Sequence, residues 1–286
     1  VDWARDGAIW PNAETSRFID AKPHRWHVQE AGTGPTVLLL HGAGGATQSW
    51  RGLLPRLAQD FHVVAPDLPG QGFTRLGTRL RSGLRPMAED VARLCEQEGW
   101  APSLVVGHSA GGVLALELAD HLKPDRIICL NAALGTFEGV AGWLFPLMAK
   151  FMAINPVIPP LLARMAGGDA RIAELLASTG SDIDAEGQAL YRRLMTDAGH
   201  IDGTLAMMSQ WHIDRLLDRL PSITTPVLLI AGARDGTVPP ETSDRAARRL
   251  PHADLVWLDG LGHLAHEEAP EQIAALIRDA ALAPAS

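Results

Sequence analysis

Cysteine is the scarcest informative residue in this 286-residue sequence: only Cys95 and Cys129 occur. Two thiols cannot build the disulfide framework of small secreted domains. Nor do cysteines, histidines or carboxylates cluster at ligand spacing, so no metal and no cofactor is expected. A reducing, cytoplasmic setting is the simplest match to that scarcity. Positive charge is also short, with 25 Lys and Arg against 33 Asp and Glu and a formal net charge of −8. Nucleic-acid affinity comes mainly from cations that neutralise phosphates, so a nucleic-acid partner is excluded. No uninterrupted apolar run reaches the roughly 18 residues of a membrane span. The nearest is Gly139 to Ala166, which Lys150, Pro146, Pro156, Pro159 and Pro160 break up; it leaves room for peripheral contact with a membrane surface. Val1 to Asp6 has neither the basic lead nor the apolar run of a secretory signal, and the missing initial Met points to trimming. Repeats and low-complexity tracts are absent too.

What remains is an apolar fraction of 47%, enough for a full core. Short β-branched and leucine-rich runs alternate with longer amphipathic ones, the pattern of a mostly parallel sheet covered by helices. Strands are predicted at Arg25 to Gln29, Thr36 to Leu40, His62 to Ala65, Ser103 to Gly107, Asp125 to Leu130, Pro226 to Ala231 and Asp254 to Leu258. Helices are predicted at Gln48 to Ala58, Pro86 to Glu98, Ala110 to Leu122, Pro240 to Leu250 and Pro270 to Leu282. Pro86, Pro240 and Pro270 suit first turns, where a missing amide hydrogen costs nothing. From Asn131 to Leu220 only helix-like pieces appear: Asp169 to Leu176, Ala185 to Met195 and Gly203 to Leu217. The chain is therefore predicted to have an α/β core, residues 1–132 and 221–286, of about eight strands, with residues 133–220 inserted as a helical cap. Trp143, Met148, Met152, Met165, Met195, Met207, Met208 and Trp211 read either as that cap's own core or as a soft apolar ceiling over a site.

The chemistry begins at Leu-Val-Val-Gly107-His-Ser109-Ala-Gly111-Gly, where a short apolar strand runs into Gly-x-Ser-x-Gly and then a helix. That is the nucleophile-elbow pattern, which forces the serine into a strained turn and exposes its hydroxyl. A serine hydroxyl is a weak nucleophile at neutral pH, so it needs a base and an acid that orients the base. Asp235 follows one late strand and His263 follows the last, which gives the order Ser, Asp, His expected for this architecture. Asp67 reads instead as a loop-shaping residue and Asp259 as a turn residue, while Asn131 lacks the charge to stabilise an imidazolium. His108 reads as structural and His266 as a helix start. After the strand ending at Leu40 comes His41-Gly-Ala43-Gly-Gly45, a loop able to donate a backbone amide. The amides of Ala43 and Ala110 are the expected oxyanion donors, since tetrahedral intermediates need such preorganised groups. That loop has no Gly-Lys-Ser/Thr ending and no dinucleotide fingerprint, so a nucleotide site is not expected.

Taken in order, His41-Gly42, Asp67-x-Pro-Gly70-x-Gly72, Gly107-x-Ser109-x-Gly111, Asp235 and Gly262-His263 resemble the α/β-hydrolase superfamily with a helical cap, over roughly residues 25–282. Haloalkane dehalogenases and epoxide hydrolases share that frame but carry an Asp where Ser109 stands. Segments outside the motifs go further: Trp10-Pro-Asn12, Ser16-Arg-Phe18, Arg25-Trp-His-Val-Gln29, Gly203 to Trp211 and Gly260 to Glu268. These resemble the magnesium-chelatase accessory hydrolases of bacteriochlorophyll biosynthesis, the BchO type. The resemblance implies a role in a porphyrin pathway, a hydrophobic small-molecule substrate such as a tetrapyrrole, and association with magnesium chelatase. Ester hydrolysis, tetrapyrrole binding with an idle triad, and perhydrolase or carbon–carbon hydrolase chemistry stay open at this point.

Overall fold

Val37 to Leu40 sets the pattern for the middle of the molecule: alternate side chains of one apolar run enter opposite layers, so every one is buried. Parallel strands covered on both faces need that continuous hydrophobicity. The computed structural model describes residues 1–135, 155, 157–166 and 168–283. Its strands are β1 (Ser16–Ala21), β2 (His24–Ala31), β3 (Thr36–Leu40), β4 (His62–Pro66), β5 (Pro102–His108), β6 (Arg126–Leu130), β7 (Val227–Gly232) and β8 (Ala253–Leu258). They form one eight-stranded sheet in the order β1-β2-β4-β3-β5-β6-β7-β8. β1 pairs antiparallel with β2 and β2 with β4; every other pairing is parallel.

Leu38, Leu40, Val105, Ile127, Cys129 and Leu229 pack in one layer with the helices Leu84–Glu98 and Ala110–Glu117. On the other face Val37, Leu39, Val106, Ile128, Leu130 and Ile230 meet the helices Leu53–Leu57 and Pro270–Leu282. Truncating one such leucine to alanine costs about 2–5 kcal/mol. The pairing also aligns the strand ends. Leu40 lies beside Gly107, His108 beside Leu130, and Leu130 beside Ile230, so the loops after β3, β5, β6 and β7 emerge along one edge. Ligands of open α/β sheets bind at that carboxyl edge.

Several elements differ from the sequence expectation. β1 has the mixed pattern of an edge strand rather than an apolar run, and its Arg17 is ion-paired to Glu30 and Glu98. The segment from Gln48 to Ala58 is a 3-10 turn, Thr47–Trp50, followed by Leu53–Leu57. The helix expected from Gly203 to Leu217 is two helices, Ala198–Met208 and Asp214–Arg219. The first starts earlier because the Asp197 carboxylate accepts from the His200 amide and caps it.

Between β6 and β7 the described residues form the helices Ile158–Ala166, Asp169–Ser178, Ala185–Met195, Ala198–Met208 and Asp214–Arg219, with no strand among them. Met207 is buried in the main core, with Trp211 packed against it, so neither hangs over the edge as a free ceiling. Trp143, Met148 and Met152 lie outside the described residues, as does most of the apolar stretch from Gly139 to Ala166. Among its described residues Val157, Leu161 and Met165 are exposed. No described helix is long and apolar enough to cross a membrane.

Candidate active site

Ser109 stands between β5 and the Ala110–Glu117 helix with φ 52° and ψ −115°, a left-handed backbone unusual for a residue with a side chain. Tight packing holds it there. A Cβ on Gly107 would lie 2.1 Å from the Gly111 carbonyl oxygen, and one on Gly111 would lie 2.0 Å from the Leu40 oxygen. Only glycine allows strand, turn and helix to approach so closely. The Ser109 amide donates to the Leu130 carbonyl at 2.9 Å, which ties the elbow to β6.

His263 follows β8 and Asp235 follows β7, and the sheet brings the two loops together. The His263 Nδ1–H donates to Asp235 Oδ2 at 2.7 Å. With its proton committed there, the neutral ring carries its lone pair on Nε2. The other carboxylate oxygen, Oδ1, accepts from the amides of Thr237 and Val238, each at 2.8 Å. Asn131 Nδ2 also donates to Oδ2, at 2.8 Å. Asn131, which lacks the charge of an acid, is here a donor that steadies the Asp235 carboxylate.

A single carbonyl from the helices between β6 and β7 spans both loops. Thr179 O accepts from the Gly236 amide at 3.0 Å and the His263 amide at 3.1 Å, and the Leu264 amide donates to Ser181 Oγ at 2.8 Å. Next to His263 runs a row of mutually tilted rings: His108 at 4.7 Å, His266 at 4.4 Å from His108, and Trp50 at 4.7 Å from His266. His108 Nε2–H donates to the His263 carbonyl at 2.9 Å, the structural task expected of it. Burial drives His108 well below the usual imidazole range and His266 down to about 3, so both stay neutral.

The loop after β3 turns at Gly42–Gly45, where the Gly45 amide donates to the Gly42 carbonyl at 3.0 Å. His41 braces it, donating from Nδ1 to the Gly42 carbonyl and accepting the Leu68 amide at Nε2. Met195 reaches this turn; a Cβ on Gly44 would lie 3.4 Å from its methyl carbon. Asp67 is the loop-shaping residue expected, accepting from the amides of Thr47 and Phe73. His27 Nδ1 also donates to Asp67 Oδ2 at 2.7 Å, a pairing that no local sequence pattern predicts. Burial pushes the Asp67 carboxyl up, but the His27 and His41 rings and the Phe73 amide outweigh it and hold the carboxyl below the ordinary range.

Among the described residues no group of three His, Cys, Asp or Glu could hold a metal ion. Cys95 and Cys129 are buried, and burial pushes both thiols up to about 12, which leaves them unreactive.

A family model for the alpha/beta hydrolase fold matches residues 35–270. Among curated relatives, the magnesium-chelatase 30 kDa subunit of Rhodobacter capsulatus is 45% identical over 95% of this chain and 96% of its own. The pimeloyl acyl-carrier-protein methyl ester esterase of Xanthomonas campestris is 28% identical over 83% of this chain and 91% of its own. Among solved structures, a thermophilic esterase from Thermogutta terrifontis superposes with a TM-score of 0.74 at 25% identity, covering 92% of this chain and 97% of that one. The sheet order, the elbow and these relatives converge: the chain belongs to the alpha/beta hydrolase family.

Proposed function

We propose that the protein is a serine hydrolase that opens an ester-like bond through Ser109, His263 and Asp235, on a hydrophobic substrate of tetrapyrrole metabolism. The observation that carries the reading is the 2.7 Å bond from His263 Nδ1 to Asp235 Oδ2 beside the strained Ser109 turn. In this reading residues 133–220 cap a core made of residues 1–132 and 221–286.

His263 Nε2 takes the Ser109 hydroxyl proton as Oγ bonds to the substrate carbonyl carbon, and the carbonyl π electrons move to oxygen. The amides of Ala43 and Ala110 stabilise that oxyanion; losing one such donor typically costs about 2.7–4 kcal/mol. Collapse expels the alkoxide, which recovers the proton from His263. Water then attacks the acyl-serine by the same path in reverse and releases the acid. Throughout, Asp235 stabilises the transient imidazolium and keeps Nε2 facing the reaction.

The 45% identity to a magnesium-chelatase subunit favours a second reading, in which the protein binds a tetrapyrrole for the chelatase and the triad stays idle. One experiment separates the two. The chain is treated with a fluorophosphonate probe, and protoporphyrin is titrated into the native chain and Ser109→Ala. Labelling confined to Ser109, with ester turnover lost in Ser109→Ala, is the expected result. A folded chain that takes no label, turns over no ester and binds protoporphyrin equally well with or without the Ser109 hydroxyl overturns the hydrolase reading.

A further inference from the structure

The Gly42–Gly45 turn is gripped at each of its peptide units, and one grip comes from the helical insertion. Gly44 has φ +78°, the left-handed conformation that the third position of a type II turn requires. The Ala43 N–H shares a rigid peptide plane with the Gly42 carbonyl and points the opposite way. Holding that oxygen therefore aims the amide. His41 and the Gly45 amide hold it. The next unit is fixed by Gln71 Oε1, which accepts from the Gly44 amide at 2.7 Å.

The third grip is His200, on the Ala198–Met208 helix. Its Nε2 donates to the Gly44 carbonyl at 3.1 Å, and its Nδ1 accepts from the Gly72 amide at 3.0 Å. An amide can only donate and a carbonyl can only accept, so one neutral tautomer, protonated at Nε2, satisfies both. Burial pushes this imidazole down to about 4 and keeps it neutral. The helix backbone itself sits on the neighbouring loop. A Cβ on Gly203 would lie 1.9 Å from the Gly70 carbonyl oxygen.

We propose that His200 is a positioning residue for the oxyanion turn, so that the Ala198–Met208 helix is part of the catalytic frame and not a lid that swings clear of it. The proposal rests on the reading of the Ala43 amide as an oxyanion donor. Moving the helix away would leave the Gly44 carbonyl and the Gly72 amide without their partner and free a turn that must be preorganised before reaction. Substrate therefore enters with this helix in place.

The test uses the full chain as wild type, His200→Ala and His200→Gln. Three measurements are made: kcat and KM for a 4-nitrophenyl ester, amide hydrogen exchange over residues 42–46 and 70–73, and the long-range 1H–15N spectrum of the wild-type histidine rings. His200→Ala is expected to lower kcat about 100-fold with KM nearly unchanged, as a small misplacement of a catalytic group does. It is also expected to speed exchange in both segments about 10-fold or more. His200→Gln, which restores one amide donor, recovers part of both. Unchanged exchange and kcat in a folded His200→Ala chain overturn the proposal, as does a wild-type His200 ring protonated at Nδ1. If the wild type neither hydrolyses esters nor labels at Ser109, the hydrolase reading fails, while exchange and tautomer still decide whether His200 holds the turn.

Discussion

Four hydrogen bonds converge on the Asp235 carboxylate, two at each oxygen, and only one of them comes from His263. The Thr237 and Val238 amides would keep an oxygen at the Oδ1 position, so Asp235→Asn changes its charge more than its place. The amide would turn an acceptor toward His263 into a donor and push the imidazole hydrogen onto Nε2, where the base needs its lone pair. Ester hydrolysis by Asp235→Asn is expected to fall about 10⁴-fold in kcat, with KM and thermal unfolding little changed; a fall of less than tenfold would argue that Asp235 is not the orienting acid. The candidates Ser109, Asp235 and His263 stand out in the sequence because each follows a recognisable strand and the three come in a telling order. Asn131 was not, because its bond to Asp235 depends on β6 lying beside β7, which no local pattern states. His200 was hidden for a similar reason. His200 belongs to no motif of its own, and only the fold carries its ring to Gly44.

The strands that ran as unbroken apolar stretches were legible as elements, because only a layer covered on both faces can bury every residue of such a run. β1 was missed because an edge strand keeps polar side chains, and the Gly203 to Leu217 helix was misjudged because its start signal, Asp197, lies earlier in the chain. The elbow is the element on which most neighbours depend. A Cβ on Gly111 would meet the Leu40 oxygen at 2.0 Å and the His41 oxygen at 2.6 Å. Both are main-chain atoms at the end of β3, which is pinned between β4 and β5. Neither can yield as a flexible side chain would. Gly111→Ala is therefore expected to cost more than about 4 kcal/mol or to prevent folding. Gly168→Ala, with nothing among the described residues within 4 Å of the added carbon, is expected to unfold like the wild type. Chemical unfolding of the two variants checks the contrast, and a Gly111→Ala chain as stable as Gly168→Ala would refute the close packing of elbow on strand.

Over the whole molecule, buried imidazoles set the response to acid. His108, His200 and His266 are fully desolvated, and their folded values lie below the free 6.5: well below for His108, about 4 for His200 and about 3 for His266. A base whose folded value is depressed contributes its stability above the unfolded value, and that stability is lost as pH falls from 6.5 toward the folded value. Glu267 runs the other way. Burial raises its carboxyl from 4.5 to about 7 although Tyr191 and Arg51 bond to it, so folding takes up a proton there within the same window. Burial lowers His41 as well, so three to four protons gained on unfolding less one lost leave a net of two to three, or about 3–4 kcal/mol per pH unit just below pH 6.5. Against a total of about 5–15 kcal/mol, that slope alone brings the protein near unfolding in mild acid. Urea unfolding at pH 7.5 and pH 5.0 is expected to show the midpoint falling steeply, and an unchanged midpoint would refute the neutral, buried state of these rings. His266 isolates one of the protons. Among the described residues neither of its buried ring nitrogens has a hydrogen-bond partner, and its ring lies tilted 4.7 Å from that of Trp50, so His266→Phe keeps the ring contact and removes the titration. The variant is expected to lose about 1.4 kcal/mol per pH unit less than the wild type over the same window.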